Sequence, residues 1–140
     1  MPQIARPDST IDNPGSWVAV GAATLHETID EPRPSDNSDY NESVLSPSNA
    51  NFEIGLSDLV DPLTNAGHIC RYTLFKDVSA GRRMDAVVRL LQGVTIIHSE
   101  THTDIPSTPT DFSFTLSPVE ADSITDYTDL RQEVEANEVP

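Results

Sequence analysis

From Tyr40 onward, apolar and polar residues alternate with a period of two. Phe52, Ile54 and Leu56 alternate with Asn51, Glu53 and Ser57, as expected of a strand with one wet face. Ile69–Phe75 is a mixed run rich in β-formers. Ala86, Val88 and Leu90 alternate with Val87, Arg89 and Leu91, which predicts a strand partly covered on both faces. Gln92 and Gly93 then stand where a tight hairpin turn would lie, with a further strand over Val94–His98. Phe112, Phe114 and Leu116 alternate with Asp111, Ser113 and Thr115 in the cleanest strand pattern of the chain. The last strand sets Leu130 and Val134 opposite Arg131, Glu133 and Glu135.

One helix interrupts the series. Ser117 is a candidate N-cap, Pro118 fits the first helical position, and Glu120 lies three residues after the cap. That is a capping box, and it predicts a short helix near 118–123. Ile124–Thr128 then returns to extended structure. Earlier in the chain, Trp17–Ala23 is the first compact apolar stretch, Leu25–Ile29 fits either one helical turn or the end of a strand, and Asp30–Asp39 is a loop dense in turn formers. About seven or eight short strands at regular spacing predict an all-β fold, an antiparallel β-sandwich or jelly roll, with no long amphipathic helix to build a parallel sheet.

The chain has 140 residues, enough for one core. Residues 1–16 hold three prolines and two aspartates with few apolar groups, which predicts an extended, loosely tied N-terminal arm ahead of a single sandwich domain at 17–140. No apolar run approaches the length of a membrane span, and the first residues lack the apolar stretch of a secretory signal, so the chain is expected to stay where it is made or to leave by cell lysis. The one cysteine, Cys70, makes no internal disulfide and reads as a structural thiol within a strand.

The formal net charge is −15. Such a field repels a phosphate backbone, so nucleic acid is not expected as a partner. The charge is unevenly placed: residues 68–99 carry Arg71, Lys76, Arg82, Arg83 and Arg89 against only Asp77 and Asp85, while both flanking segments are strongly acidic. Two outcomes fit this segregation. The basic strands pair with acidic neighbours inside the domain, or they join Arg6 in a contact patch for an acidic partner surface.

No glycine-rich phosphate loop and no Gly-x-Ser-x-Gly elbow occur. His98 and His102 have the spacing of two zinc ligands on a helix, but a strand separates them by about 13 Å, so no metal site is expected there. Asp36–Asp39 could offer oxygens to calcium yet lacks the ligand alternation and glycine of a calcium loop. Asn41–Ser43 fits a glycosylation sequon, read as incidental without a secretory signal. Asp126, Tyr127 and Asp129 fit a structural corner in which the tyrosine buries its ring, sends its hydroxyl to backbone, and the aspartates accept backbone N–H groups. No cofactor is expected.

Val60–Pro62, Gly67–Tyr72, Leu90–Gly93 and Glu120–Arg131, the last containing Ile124-Thr-Asp-Tyr-Thr-Asp-Leu-Arg131, resemble a group of tailed-bacteriophage virion proteins over about residues 38–136. Those are small β-sandwich, jelly-roll-like structural proteins. The resemblance implies a non-enzymatic capsid decoration, or cement, protein on the outer surface of the head. Its partner would be the major capsid protein lattice, and it would form a homo-oligomer, with a trimer favoured. An arm at 1–16 could then lie across neighbouring subunits. The alternative is a tail or fibre module recognising host-surface carbohydrate, for which aromatic platforms would be needed. A hydrolase would need an acid/base pair converging in a cleft.

Overall fold

A computed structural model describes residues 2–29, 37–77 and 81–140. It is all-β apart from one short helix. The strands are β1 (Pro7–Asp12), β2 (Val18–Val20), β3 (Tyr40–Glu42), β4 (Ala50–Leu56), β5 (Ile69–Leu74), β6 (Arg83–Gln92), β7 (Thr95–His102), β8 (Thr110–Thr115) and β9 (Leu130–Val139), with α1 (Pro118–Asp122) before β9. Nine strands are described, more than the seven or eight expected, because the N-terminal arm contributes one. The loop expected at 30–39 lies outside the described residues up to Asp36, and so does part of the candidate calcium loop.

The main sheet has five strands in the order β1-β4-β9-β6-β7, every pair antiparallel. The last strand in sequence is therefore at its centre. β5 pairs with β8 and β2 with β3 in separate two-stranded ribbons. The alternation read from the sequence sets the facing: Phe52, Ile54, Val88, Leu90, Leu130 and Val134 pack on one side of the main sheet. Tyr72 and Phe114 of the β5–β8 ribbon, with Leu116, Ala121, Ile124 and Tyr127 around α1, cover them as the second layer of a sandwich. Ile54 and Val88 are wholly removed from solvent. Trp17 meets Phe52 edge-on at 4.9 Å and donates its Nε1 proton to the Ala50 carbonyl, which anchors the N-terminal segment to β4.

The helix forms as its sequence predicts. Ser117 caps it, with the Glu120 N–H on the Ser117 hydroxyl and the Glu120 carboxylate accepting from the Ser117 N–H. The hairpin between β6 and β7 differs by one residue from the expected turn: Gln92 pairs with Thr95, so Gly93 and Val94 form the loop. Gly93 has φ 55°, while Val94 has no positive φ, as a type II′ turn requires at its first central position. Glycine belongs at that position, one place later than the sequence reading set it. The 25–29 segment forms a turn, with the Ile29 N–H on the His26 carbonyl.

The arm at 1–16 is extended, but it is tied down. β1 pairs with β4, Ser57 N–H donates to the Arg6 carbonyl at 2.7 Å, and Gly15 N–H donates to the Asn51 carbonyl at 2.9 Å. A Cβ at Gly15 would come within 2.4 Å of the Asn51 nitrogen, so only glycine permits this approach. A β-rich segment beside an open strand satisfies its main chain by pairing, which the proline content concealed.

Two stability outcomes follow. Replacing Ile54 with alanine should cost about 3 kcal/mol in denaturant unfolding, the range for deleting a fully buried aliphatic side chain. Removing residues 1–16 should lower the unfolding midpoint, since it strips β1 from β4; an unchanged midpoint would show that the arm is dispensable to the sheet.

Candidate functional site

Of the six candidate contact cations, Lys76, Arg82, Arg83 and Arg89 are each ion-paired with carboxylates of the domain. On the outer face of the main sheet, Arg89 of β6 bonds both Glu133 and Glu135 of the neighbouring β9, the latter at 3.0 Å. Arg131 bonds Glu53 of β4 and Asp129, both at 3.0 Å. Asn51 adds a bond to Glu133, and Asn137 to Glu135. Glu53 and Glu133 are direct cross-strand partners, a like-charge pairing that destabilises unless neutralised. The two arginines on either side supply that neutralisation. Burial disfavours charge on Arg89, but the bonds from Glu135 and Glu133 outweigh it and raise its pKa.

Lys76 and Arg83 meet around one pair of aspartates, the Asp104 N–H donating to Asp85 at 2.8 Å. Lys76 pairs with Asp104, Arg82 with Glu138, and Arg83 makes two bonds to Asp85 at 3.0 and 2.9 Å. Arg6 is exposed beside the β1–β4 edge, where its main chain pairs with Ser57. Arg71 is exposed on β5 with no ion pair among the described residues. Most of the central positive charge is thus drawn into pairs with the domain's own carboxylates.

Two of the four histidines, His98 and His102, sit where the two layers meet, a role the sequence did not reveal. His98 stacks on Phe114 with ring centroids 4.3 Å apart, places Nδ1 2.7 Å from Glu120 and Nε2 3.3 Å from Glu100. Burial opposes charge on His98, yet the two carboxylates prevail and raise its pKa. The bond from His98, with those from the Ser117 N–H and hydroxyl, holds the Glu120 carboxyl at about 2. One glutamate therefore joins the helix cap to β7. His102 lies on Phe112, centroids 4.4 Å apart; burial lowers its pKa, and its Nε2 meets the Tyr72 hydroxyl at 2.8 Å. Burial, then the charges of Cys70 and Glu100, push the Tyr72 hydroxyl pKa up. His98 and His102 each have aromatic and hydrogen-bonding partners of their own, and among the described residues no group of three or more His, Cys, Asp or Glu is placed to hold a metal ion.

At the predicted corner, Tyr127 is buried as expected, but its hydroxyl meets His68 Nε2 at 2.8 Å rather than backbone. The side chain of His68, which enters β5 beside it, intercepts the hydroxyl before it can reach the chain. Asp126 accepts from the Thr128 N–H at 2.9 Å, as read, whereas Asp129 bonds the Arg131 side chain and gives its main-chain carbonyl to Gly93. Cys70 is half-buried, with its sulfur 3.4 Å from the Gln132 amide. Beside the corner an open groove of about 450 Å³ runs between the 61–65 loop and α1, bordered by Asp61, Leu63, Asn65, Asp122 and Tyr127. Asn65 donates to Asp122 across it at 3.1 Å. A smaller recess of about 240 Å³ brings Asp8, Asp58, Asp129 and Arg131 together beside β1.

Aromatic side chains are mostly interior; Phe75, edge-on to Tyr40 at 5.7 Å, is the one in the exposed class. Bulky aliphatic groups are the more exposed ones, with Leu45, Val94 and Leu63 at 96%, 91% and 90% on loops. No family model, curated protein or solved structure matches this chain.

The His98–Glu120 bond predicts a pH effect. Because the folded pKa of His98 is raised, its contribution to stability is fully present below the unfolded value of 6.5 and is lost as pH rises through the folded value. The stability difference between the parent and His98→Gln should therefore be larger at pH 5.5 than at pH 9 in thermal unfolding. A difference independent of pH would show that the imidazolium is not engaged.

Proposed function

We propose that this chain is a non-enzymatic structural protein of a bacteriophage virion, a decoration protein seated on the outer surface of the head. The observation that carries the reading is the division of labour among its side chains. Ionisable groups are committed to holding the β body, as in Arg89–Glu133–Glu135, Arg131–Glu53 and Glu120–His98, while large apolar side chains project from the loops. A body of this kind adheres through its periphery rather than transforming a substrate in its interior.

Two further features support it. The segments that resemble small virion sandwiches include Leu90–Gly93, which leads into the β6–β7 hairpin, and Ile124–Arg131, the corner entering β9. A net charge of −15 on a shell component would keep particles apart by mutual repulsion. With β1 built into the sheet, lattice contacts fall to the exposed loops around Leu45, Leu63 and Val94 rather than to residues 7–12.

Gold-labelled antibody raised against the purified chain should decorate the heads of particles that carry it, at regular positions across the capsid. Label confined to tails or fibres, or found only in the soluble fraction, would overturn the reading.

A further inference from the structure

The two ends of the main sheet are finished differently. β1 ends one side with Pro7, Asp8 and Asp12, and its pairing with β4 is interrupted by two register shifts. Proline, charge and irregularity are the usual devices that keep a sheet edge from recruiting another strand. β7 ends the other side with Thr95-Ile-Ile-His-Ser-Glu-Thr-His102, which has no proline and no lysine. Among the described residues it pairs with β6 alone, so one row of its main-chain groups is unpaired. Its one irregularity is the bulge at Ile97, between the Leu90–His98 and Leu91–Ile96 pairs. Thr95, Ile96, Ser99 and Thr101 are exposed.

We propose that β7 is a self-association edge at which a second copy of this chain adds its own β7 antiparallel, joining two main sheets into one across a two-fold axis at Ser99. The register follows from charge. In a two-fold antiparallel pair that keeps inner face beside inner face, the axis passes through one residue and its copy. An axis at Glu100 sets two carboxylates face to face and His98 opposite His102. One at His98 sets imidazole against imidazole and leaves Glu100 opposite Ile96. One at Thr101 needs Thr103 and Asp104 to continue the strand, but β7 ends at His102 and Asp104 turns away with φ 53°. The axis at Ser99 places His98 opposite Glu100 twice and faces only serine hydroxyls at the centre.

Both charged partners are already poised on this edge. Within one copy, His98 gives Nδ1 its short bond to Glu120, while Nε2 reaches Glu100 at a longer 3.3 Å. Glu100 retains 41% side-chain exposure. A neighbouring copy's Glu100 can therefore take the Nε2 proton without disturbing the helix cap. β7 also carries one carboxylate in a chain with fifteen more acidic than basic groups, which makes it among the least self-repelling borders for two such molecules. The pair so formed is two-fold, unlike the trimer expected from the resemblance, and it stands independently of any location on a particle.

The purified full chain should elute with twice the mass of its 15.3 kDa monomer in size-exclusion chromatography with light scattering. Ser99→Lys, on an exposed outer-face position, sets two ammonium groups together at the axis and should return the protein to monomer with an unchanged circular-dichroism spectrum. Ser99→Cys should cross-link into a covalent dimer under mild oxidation, since directly opposed residues fall within disulfide reach, whereas Thr101→Cys should not. A monomeric parent at concentrations of hundreds of micromolar, a dimer that survives Ser99→Lys, or cross-linking at Thr101→Cys in preference to Ser99→Cys would each overturn the proposal.

Discussion

The last strand in sequence, β9, holds the centre of the main sheet, and most of the architecture depends on that placement. It pairs with β4 on one side and β6 on the other, so neither half of the sheet is joined to the other until residues 130–139 are in position. Its inner residues Leu130, Gln132, Val134 and Ala136 are all buried. Burial of Leu130 and Val134 contributes roughly 1.5–3 kcal/mol each, against at most about 1 kcal/mol for an exposed ion pair, so the apolar face decides the register and the charges conform to it. Pairing of this kind joins positions distant in sequence and makes folding slow relative to a helical protein of equal size.

The outer face shows what that conformity requires. With the register fixed from within, Glu53 and Glu133 meet across β4 and β9. Arg131 and Arg89, reaching in from either side, convert the repulsion into a chain of alternating charge that also engages Glu135 and Asp129. Of the cations concentrated in residues 68–99, Arg82 and Arg89 pair with carboxylates of β9, at Glu138, Glu133 and Glu135. β6 lies beside β9, and its arginine is needed at that boundary.

The seam between the layers is closed by rings rather than by aliphatic packing alone. His98 on Phe114 and His102 on Phe112 and Tyr72 present flat apolar faces to the core while their nitrogens find partners at its margin. Through Glu120, the same seam fastens α1 to β7. The β7 edge is therefore held rigidly from its inner side while remaining open along its border, a combination suited to docking a further strand without reorganisation.

Local patterns in the sequence were enough to determine the all-β class, the inner faces of β4, β8 and β9, and the capped helix at 118–122. Each rests on a period of two or on residues three apart, and such relations are contained in a short stretch of chain. The alternation at Phe112, Phe114 and Leu116 and the box at Ser117 and Glu120 could each be read without reference to any other segment. Tertiary structure decided the rest: that the proline-bearing arm becomes β1, that β9 is central and β7 marginal, that His98 and His102 serve the core seam, and that Arg89 is matched to Glu133. Those outcomes depend on which segments become neighbours. Strand partners tens of residues apart are chosen by the packing of whole faces, and no residue carries that choice in its immediate surroundings.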